Sequence, residues 1–378
     1  MMEHRIYLDY SANTPVDADV LACFCETERR CIGNANAKHS AGRESKGVLT
    51  DSLNRMAAAL GAQPSEVILT SGASEANNTA IKGILRASRH MGRHVITSAL
   101  EHASVSGCLT AMQEQGADID VVSVGRDGRV DVEELAGLLR RDTVLVTLPM
   151  VDSELGVIQP AQEIAALLKD YPNCRLHVDA TQAVGKIPVT FANADTMSLA
   201  AHKFYGLNGS GLLLKREKLA MEPLIHGGAS ASLYRSGTPP VGLTAALALA
   251  LEKATAAQPE RIAYVRTLND QLRTALTAYS RVQINSPDHA VPHILNLSVQ
   301  GVRGSAFAQA LDARGVCVSV KSACSSDGMP SKAVYAVSRD RKRALCSWRI
   351  SLSGAVSEAD IDGFLAAFRD CYAALVRP

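Results

Sequence analysis

The chain has 378 residues, of which 47% are hydrophobic and 20% charged, with a formal net charge of +1. This exceeds one ordinary domain, so two domains or one large lobe with a smaller one are expected, and the composition is that of a soluble globular protein rather than a disordered one. The balanced charge excludes the strong basic excess that direct nucleic-acid binding needs, and nine cysteines without an apolar leader point to reduced thiols in the cytoplasm.

Taken in chain order, short β-branched runs alternate with amphipathic stretches. Residues 67–70 read as a strand and 75–89 as a helix, then 94–97 as a strand and 104–115 as a helix. Residues 121–124 read as a strand, 131–141 as a helix with acidic residues at its positive end, and 143–148 as a fully apolar strand. A helix with proline in its first turn covers 160–169, and strands follow at 176–178, 197–199 and 212–214. A helical stretch over 243–276, broken near Pro259, leads to a different pattern: strands at 294–299, 316–320 and 349–352, with helices at 305–313 and 358–375.

Apolar strands alternating with helices imply a mostly parallel sheet covered on both faces, an α/β fold with a smaller α+β part. The large domain is expected over 15–255, and the small one over 1–14 together with 256–378. Ligands on such sheets bind beyond the carboxyl ends of the strands, where Thr70, Ser98, Asp179 and the loop before Lys203 converge. The apolar run 243–251 is too short to span a bilayer. Cys23, Cys25 and Cys31 are not spaced as metal ligands.

Four segments carry chemistry. Thr70-Ser71-Gly72-Ala73-Ser74-Glu75 is a strand-turn-helix junction where a glycine and a helix amino end suit an anion. Glu101-His102 follows the next strand, where an imidazole can lie on a flat ligand. Asp179 and Gln182 close a strand, and a carboxylate there needs a cation or donors to meet it. His202-Lys203 presents an amine at a turn. Alone, Ser74 reads as a helix cap, His102 as a structural histidine, Asp179 as a cap and Lys203 as a surface residue. In this order, at strand ends, they suit pyridoxal 5'-phosphate: the lysine forms a Schiff base with the aldehyde and the aspartate keeps the ring nitrogen protonated. Far downstream, Ser322-Ala323-Cys324-Ser325-Ser326 places a thiol in a polar loop, beside Lys321, which favours thiolate.

The chain resembles cysteine desulfurases of the NifS/IscS type, in the class V aminotransferase group of fold-type I pyridoxal-phosphate enzymes. The motifs that carry this run from Tyr7-Leu8-Asp9-Tyr10-Ser11-Ala12 to Arg349-Ile350-Ser351-Leu352. Between them lie Ser71-Gly72-Ala73-Ser74-Glu75-Ala76-Asn77-Asn78, Ser98-Ala99-Leu100-Glu101-His102, Glu154-Leu155-Gly156-Val157-Ile158-Gln159-Pro160, His177-Val178-Asp179-Ala180-Thr181-Gln182, His202-Lys203-Phe204-Tyr205-Gly206 and Arg235-Ser236-Gly237-Thr238. The resemblance implies the aspartate aminotransferase-like fold. It implies Lys203, Cys324 and His102 as catalytic residues, with Lys203 linked to the cofactor, Asp179 on its ring nitrogen, Gln182 on its phenolate and His102 stacked on its ring. Ser74 and His202 would meet the phosphate, joined by Thr238 of the other subunit in an obligate homodimer, and Ala73 and Ser153 would also lie at the cofactor. Asn34 and Arg349 would bind the substrate, L-cysteine, with the arginine on its carboxylate. Cys324 would take the sulfur as a persulfide and pass it to an acceptor protein, for iron-sulfur clusters or another thio-product. No metal, nucleic acid or membrane is implied.

The pattern is broken in places. Ser153 stands where an asparagine usually touches the cofactor phenolate, and Ala200 where a serine usually binds phosphate. Ala229-Ser230 after Gly227-Gly228, Ser353 in place of glycine, and Lys321 also depart. Two rival readings follow: selenocysteine lyase or another class V β-elimination, and a cofactor-bearing scaffold that has lost turnover.

Overall fold

The computed structural model describes residues 5–228, 232–320 and 329–376, so Lys321 and Cys324 lie outside the described residues. The chain opens with a two-residue strand, β1 (Ile6–Tyr7), and two helices, α1 (Ala18–Arg30) and α2 (Ser40–Leu60). Then come β2 (Val67–Thr70), α3 (Ala73–Ala87), β3 (His94–Ser98), α4 (Ala103–Glu114), β4 (Asp118–Val122), α5 (Val132–Leu138), β5 (Thr143–Pro149), α6 (Ala161–Leu167) and β6 (Arg175–Asp179). β7 (Thr196–Ala200) runs through a single 3-10 turn, Ala201–Lys203, towards β8 (Gly211–Lys215), and the helices α7 (Val241–Ala256) and α8 (Gln258–Leu276) follow. The rest comprises β9 (Val282–Ile284), β10 (Ile294–Val299), α9 (Gly304–Asp312), β11 (Val316–Cys317), α10 (Lys332–Ser338), α11 (Arg341–Leu345), β12 (Ser347–Ser351) and α12 (Glu358–Leu375).

Seven strands form one sheet in the order β2-β8-β7-β6-β5-β3-β4, parallel throughout except for β8, which runs against both neighbours. Every residue of β3, β5, β7 and β8 is buried, which requires cover on both faces. Side-chain alternation distributes that cover. Ile68, Val95, Leu145 and Leu213 pack into a core with α3 and α4, whereas their neighbours Val67, Ile96, Val146, Leu212 and Leu214 pack into the core on the opposite face with α7. Parallel pairing sets Asp179 beside Pro149 on one side and Ser198 on the other. The carboxyl ends of β2, β3, β5, β6 and β7 therefore open onto one edge, where parallel sheets bind ligands.

A second core gathers Leu8 with Val265, Leu297, Phe307, Trp348, Phe364 and Phe368, around the antiparallel sheet β12-β10-β9 and the helices α8, α9 and α12. The N-terminal segment enters it because β1 pairs with β11 and Asp9 bridges to Ser351.

Most expected elements stand within two residues of their predicted bounds. The strand expected at 121–124 lies three residues earlier, because its register with β3 starts at His94 opposite Asp118. The strand expected over 316–320 is only two residues long. The break near Pro259 falls at Ala257, which leaves the proline in the first turn of α8, where its missing N–H costs nothing.

Candidate active site

A cavity of ≈ 340 Å³ lies at the carboxyl edge of the large sheet. Nine residues expected from the sequence line it: Ala73, Ser74, His102, Ser153, Asp179, Gln182, His202, Lys203 and Arg349.

One end is the start of α3. Gly72 caps this helix without a side-chain bond, at φ 146° and ψ −179°, a conformation only glycine adopts readily. A Cβ there would meet no protein atom within 4 Å, so the first-turn amides of α3, which have no intrahelical partner, stay open to an anion. Glu75 ties the turn down: it accepts from Ser71 N at 2.8 Å and from Arg235 Nε at 2.9 Å.

The opposite wall holds Asp179 at the end of β6. Its carboxylate accepts from Asn77 Nδ2 and from Thr181 N, both at 2.9 Å. Asn77 is itself held from behind. Its Oδ1 accepts from His177 Nε2 at 3.0 Å and from the Ser198 hydroxyl, and His177 Nδ1 meets Thr196 Oγ1 at 2.9 Å. His177 and Asp179, two apart on β6, share one face. Burial pulls His177 down to about 4, against an opposing pull from Asp179, so the imidazole is a neutral strut. Asp179 thus keeps its acceptor oxygens aimed at one place, as a protonated ring nitrogen would require.

Lys203 ends the Ala201–Lys203 turn and donates to the carbonyls of Ser11 and Ala12 at 2.8 and 2.7 Å. His202 is pushed down to about 4, by burial and then by Lys203. His102 caps α4: Ser104 N donates to its Nδ1 at 3.1 Å. Burial lowers its pKa, Asp179 opposes that, and Lys203 adds to it. A neutral ring whose Nδ1 accepts a backbone N–H carries its proton on Nε2. Next to it, the Glu101 carboxyl is buried and rises to about 8, from burial with a smaller push from Asp179 and against the Thr147 hydroxyl, which donates to its Oε1 at 2.7 Å.

Arg349, on β12, reaches in from the second core. Its Nη2 bonds Asp9 Oδ1 at 2.9 Å and its Nη1 bonds the Ser153 carbonyl at 2.6 Å, while its buried Nε has no partner. The fork thus retains donor capacity for a carboxylate.

Among the described residues, the Ser11 and Thr181 hydroxyls also line this cavity, buried and unpartnered. Orphaned hydroxyls, an open helix end, a buried carboxylate and an amine fit pyridoxal phosphate. Ser11, Thr181, Asn77 and His177 stood inside the quoted motifs, but nothing in residue type alone marked them for this role. Asn34 and Thr238 are exposed and do not line the cavity of their own chain. Among the described residues no cluster could hold a metal ion, and no helix is long and apolar enough to cross a membrane.

The family described as Aminotransferase class-V matches residues 6–364. The chain belongs to this family. It is 35% identical to the cysteine desulfurase IscS of Dictyoglomus turgidum, over 96% of this chain and 93% of that protein. A solved NifS-like protein superposes with a TM-score of 0.92 at 31% identity, covering 98% of this chain and all of the other. A second solved structure, SspA in complex with cysteine, gives 0.80 at 29% identity over 92% of this chain and 99% of the other. The resemblance read from the motifs therefore extends over nearly the whole chain, and the fold is that of the NifS-like pyridoxal-phosphate enzymes.

Proposed function

We propose that this family member is a cysteine desulfurase that converts L-cysteine to L-alanine and moves the sulfur onto Cys324 as a persulfide. The observation that carries the proposal is the convergence of Lys203, Asp179, His102 and Arg349 on one cavity at the sheet's carboxyl edge. Pyridoxal phosphate, when bound, supplies the electron sink that lets bonds at the substrate's α-carbon and β-carbon break.

The chain's own residues then divide the work. Arg349 holds the substrate carboxylate with its fork, which fixes the α-carbon between Lys203 and His102. The Lys203 amine, in its free form, would take the α-proton. The Cys324 thiolate attacks the substrate sulfur: the new S–S bond forms as the Cβ–S bond breaks, and its electron pair returns to carbon. His102 can relay to the β-carbon the proton that the Cys324 thiol gives up, and Lys203 returns the α-proton. The balance is cysteine plus enzyme thiol giving alanine plus enzyme persulfide, with no external oxidant.

Thr238 is exposed and outside its own chain's cavity, which supports a homodimer in which it serves the partner's phosphate site. An acceptor protein then collects the sulfur. The eight described cysteines are all unpaired, in keeping with a reducing cytoplasm. The second core draws on Leu8 and on residues such as Val265, Phe307, Trp348 and Phe368, which supports a small domain of 1–14 and 256–378 beside a cofactor domain of 15–255. Val291, Ile294, Ala333 and Val334 of the small part pack into the large core.

The test is direct. Borohydride reduction of the holoenzyme should fix the cofactor to Lys203. Added cysteine should yield alanine and one extra sulfur on Cys324 by mass spectrometry. Full turnover by Cys324→Ala would instead mean an elimination that bypasses the persulfide.

A further inference from the structure

Behind the cavity lies a buried cation that the reaction above does not use. Lys186 follows Gln182 by four residues and is 6% exposed. Its Nζ donates to Gln182 Oε1 at 2.5 Å. Gln182 Nε2 in turn donates to the Ser11 carbonyl at 2.9 Å, the same oxygen that accepts from Lys203.

The two ends of this amide are thus gripped by groups of opposite character. An ammonium only donates and a carbonyl only accepts. Rotating the amide by half a turn would set its NH2 against the ammonium and its oxygen against the Ser11 carbonyl, two repulsions in place of two bonds. The orientation is locked, and one amide N–H remains beyond the one held by Ser11.

We propose that Lys186 is a positioning residue that holds the Gln182 amide nitrogen towards the cavity, so that its second N–H is presented to the cofactor's ring oxygen. The proposal rests on the reading above, in which the cofactor sits on Lys203 with Gln182 at its phenolate. Ser153, which stands where an amide donor is usual, leaves more of that task to Gln182. The position is a costly one for a cation: burial, then Lys203 and Arg349, pull Lys186 down to about 7, so the lock belongs to the protonated amine and loosens above that pH, where the neutral amine can also accept. The titratable groups His293, Tyr10, Tyr205 and Arg261 line a small cavity with Lys186 and Lys203.

The readout is the pH at which the bound cofactor's visible absorbance changes as its lysine linkage loses a proton. A donor on the ring oxygen weakens that oxygen's hold on the linkage proton, so losing the donor raises this pH. Lys186→Met should shift it upward by about one pH unit, the scale of one hydrogen bond to a charged group. Gln182→Leu should shift it equally, and the double variant should shift no further, because Lys186 acts through Gln182. Lys186→Arg, a donor-only group at every pH, should titrate no higher than the wild type. If Lys186→Met does not fold, Lys186→Gln asks the same question, since an amide can donate or accept and no longer forces one orientation.

An unshifted Lys186 variant, or single shifts that add in full, would overturn the proposal. A wild-type holoenzyme that gives no borohydride adduct at Lys203 would instead sink the functional reading, independently of Lys186.

Discussion

Arg349 is held on two sides, by Asp9 and by the Ser153 carbonyl, with Nε left over. A lysine in its place is a single point charge and cannot serve Asp9, a backbone carbonyl and a substrate carboxylate together. Arg349→Lys should therefore lower kcat/KM for cysteine on the order of 10²-fold, mostly through KM, since a charge-assisted bond is worth roughly 1.5–3 kcal/mol. Steady-state alanine formation measures this, and an unchanged KM would place the substrate carboxylate elsewhere. His102 calls for a different signature. If it serves as the proposed proton relay, held by its Ser104 contact, its loss in His102→Ala should lower kcat by about 10²–10⁴, a larger effect than the loss of ring stacking has on cofactor binding. Cofactor absorbance and single-turnover rates separate the two. The residues proposed to touch ligand were legible in the sequence because chemistry dictates their type: only an amine can form the imine, and a carboxylate suits the ring nitrogen. The residues behind them were not. Asn77, His177 and Ser11 matter through geometry that three distant segments create together, and Ser11 contributes a carbonyl that any residue would supply.

The element on which the cofactor site depends most is the junction of β2 and α3. Gly72 there is constrained by backbone alone, since a Cβ meets no protein atom within 4 Å. At Gly211, by contrast, a Cβ would strike the Leu199 carbonyl oxygen at 2.6 Å and Gly72 Cα at 2.7 Å. Gly72→Ala should cost about 1–3 kcal/mol of local strain, spent at the helix start rather than in the core. The expected result is cofactor affinity about 10-fold weaker in titrations of the cofactor-free enzyme, with folding retained. Gly211→Ala should lower the melting temperature whether or not cofactor is present. If the two variants behave alike, the open cradle has no special role. Strands buried on both faces and helices with acidic starts announced themselves by pattern. α1 and α2 did not: α2 is a mixture of Gly42, Gly47, serines and charges with a weak apolar stripe, and it is helical because Leu49, Met56, Ala57 and Leu60 find cores to join. That is a tertiary effect, beyond local reading.

For the whole molecule, burial of titratable groups sets opposing limbs of stability against pH. His293 is buried and pulled down to about 3, by burial and then by Lys186 and Arg261. Between pH 6.5 and 3 the unfolded chain binds a proton there that the folded chain refuses, so stability falls as pH falls through that window. Asp152 works in the other direction. It is 1% exposed with an unpartnered Oδ1, and burial, reinforced by Glu154, raises it to about 7. From about pH 4 to 7 the folded state keeps a proton that the unfolded chain has released, so stability falls as pH rises through that range. Asp152→Asn keeps the shape and removes the ionisation. Its melting temperature, relative to the wild type, should therefore climb steadily from pH 4 to pH 7 and level off above. His293→Gln should gain on the wild type over the acid range alone, as pH drops below 6.5. Melting curves of the three proteins across pH 4 to 8 decide it: parallel curves would mean that neither group ionises differently on folding, and that the buried charges around the site are neutralised by partners rather than by protons.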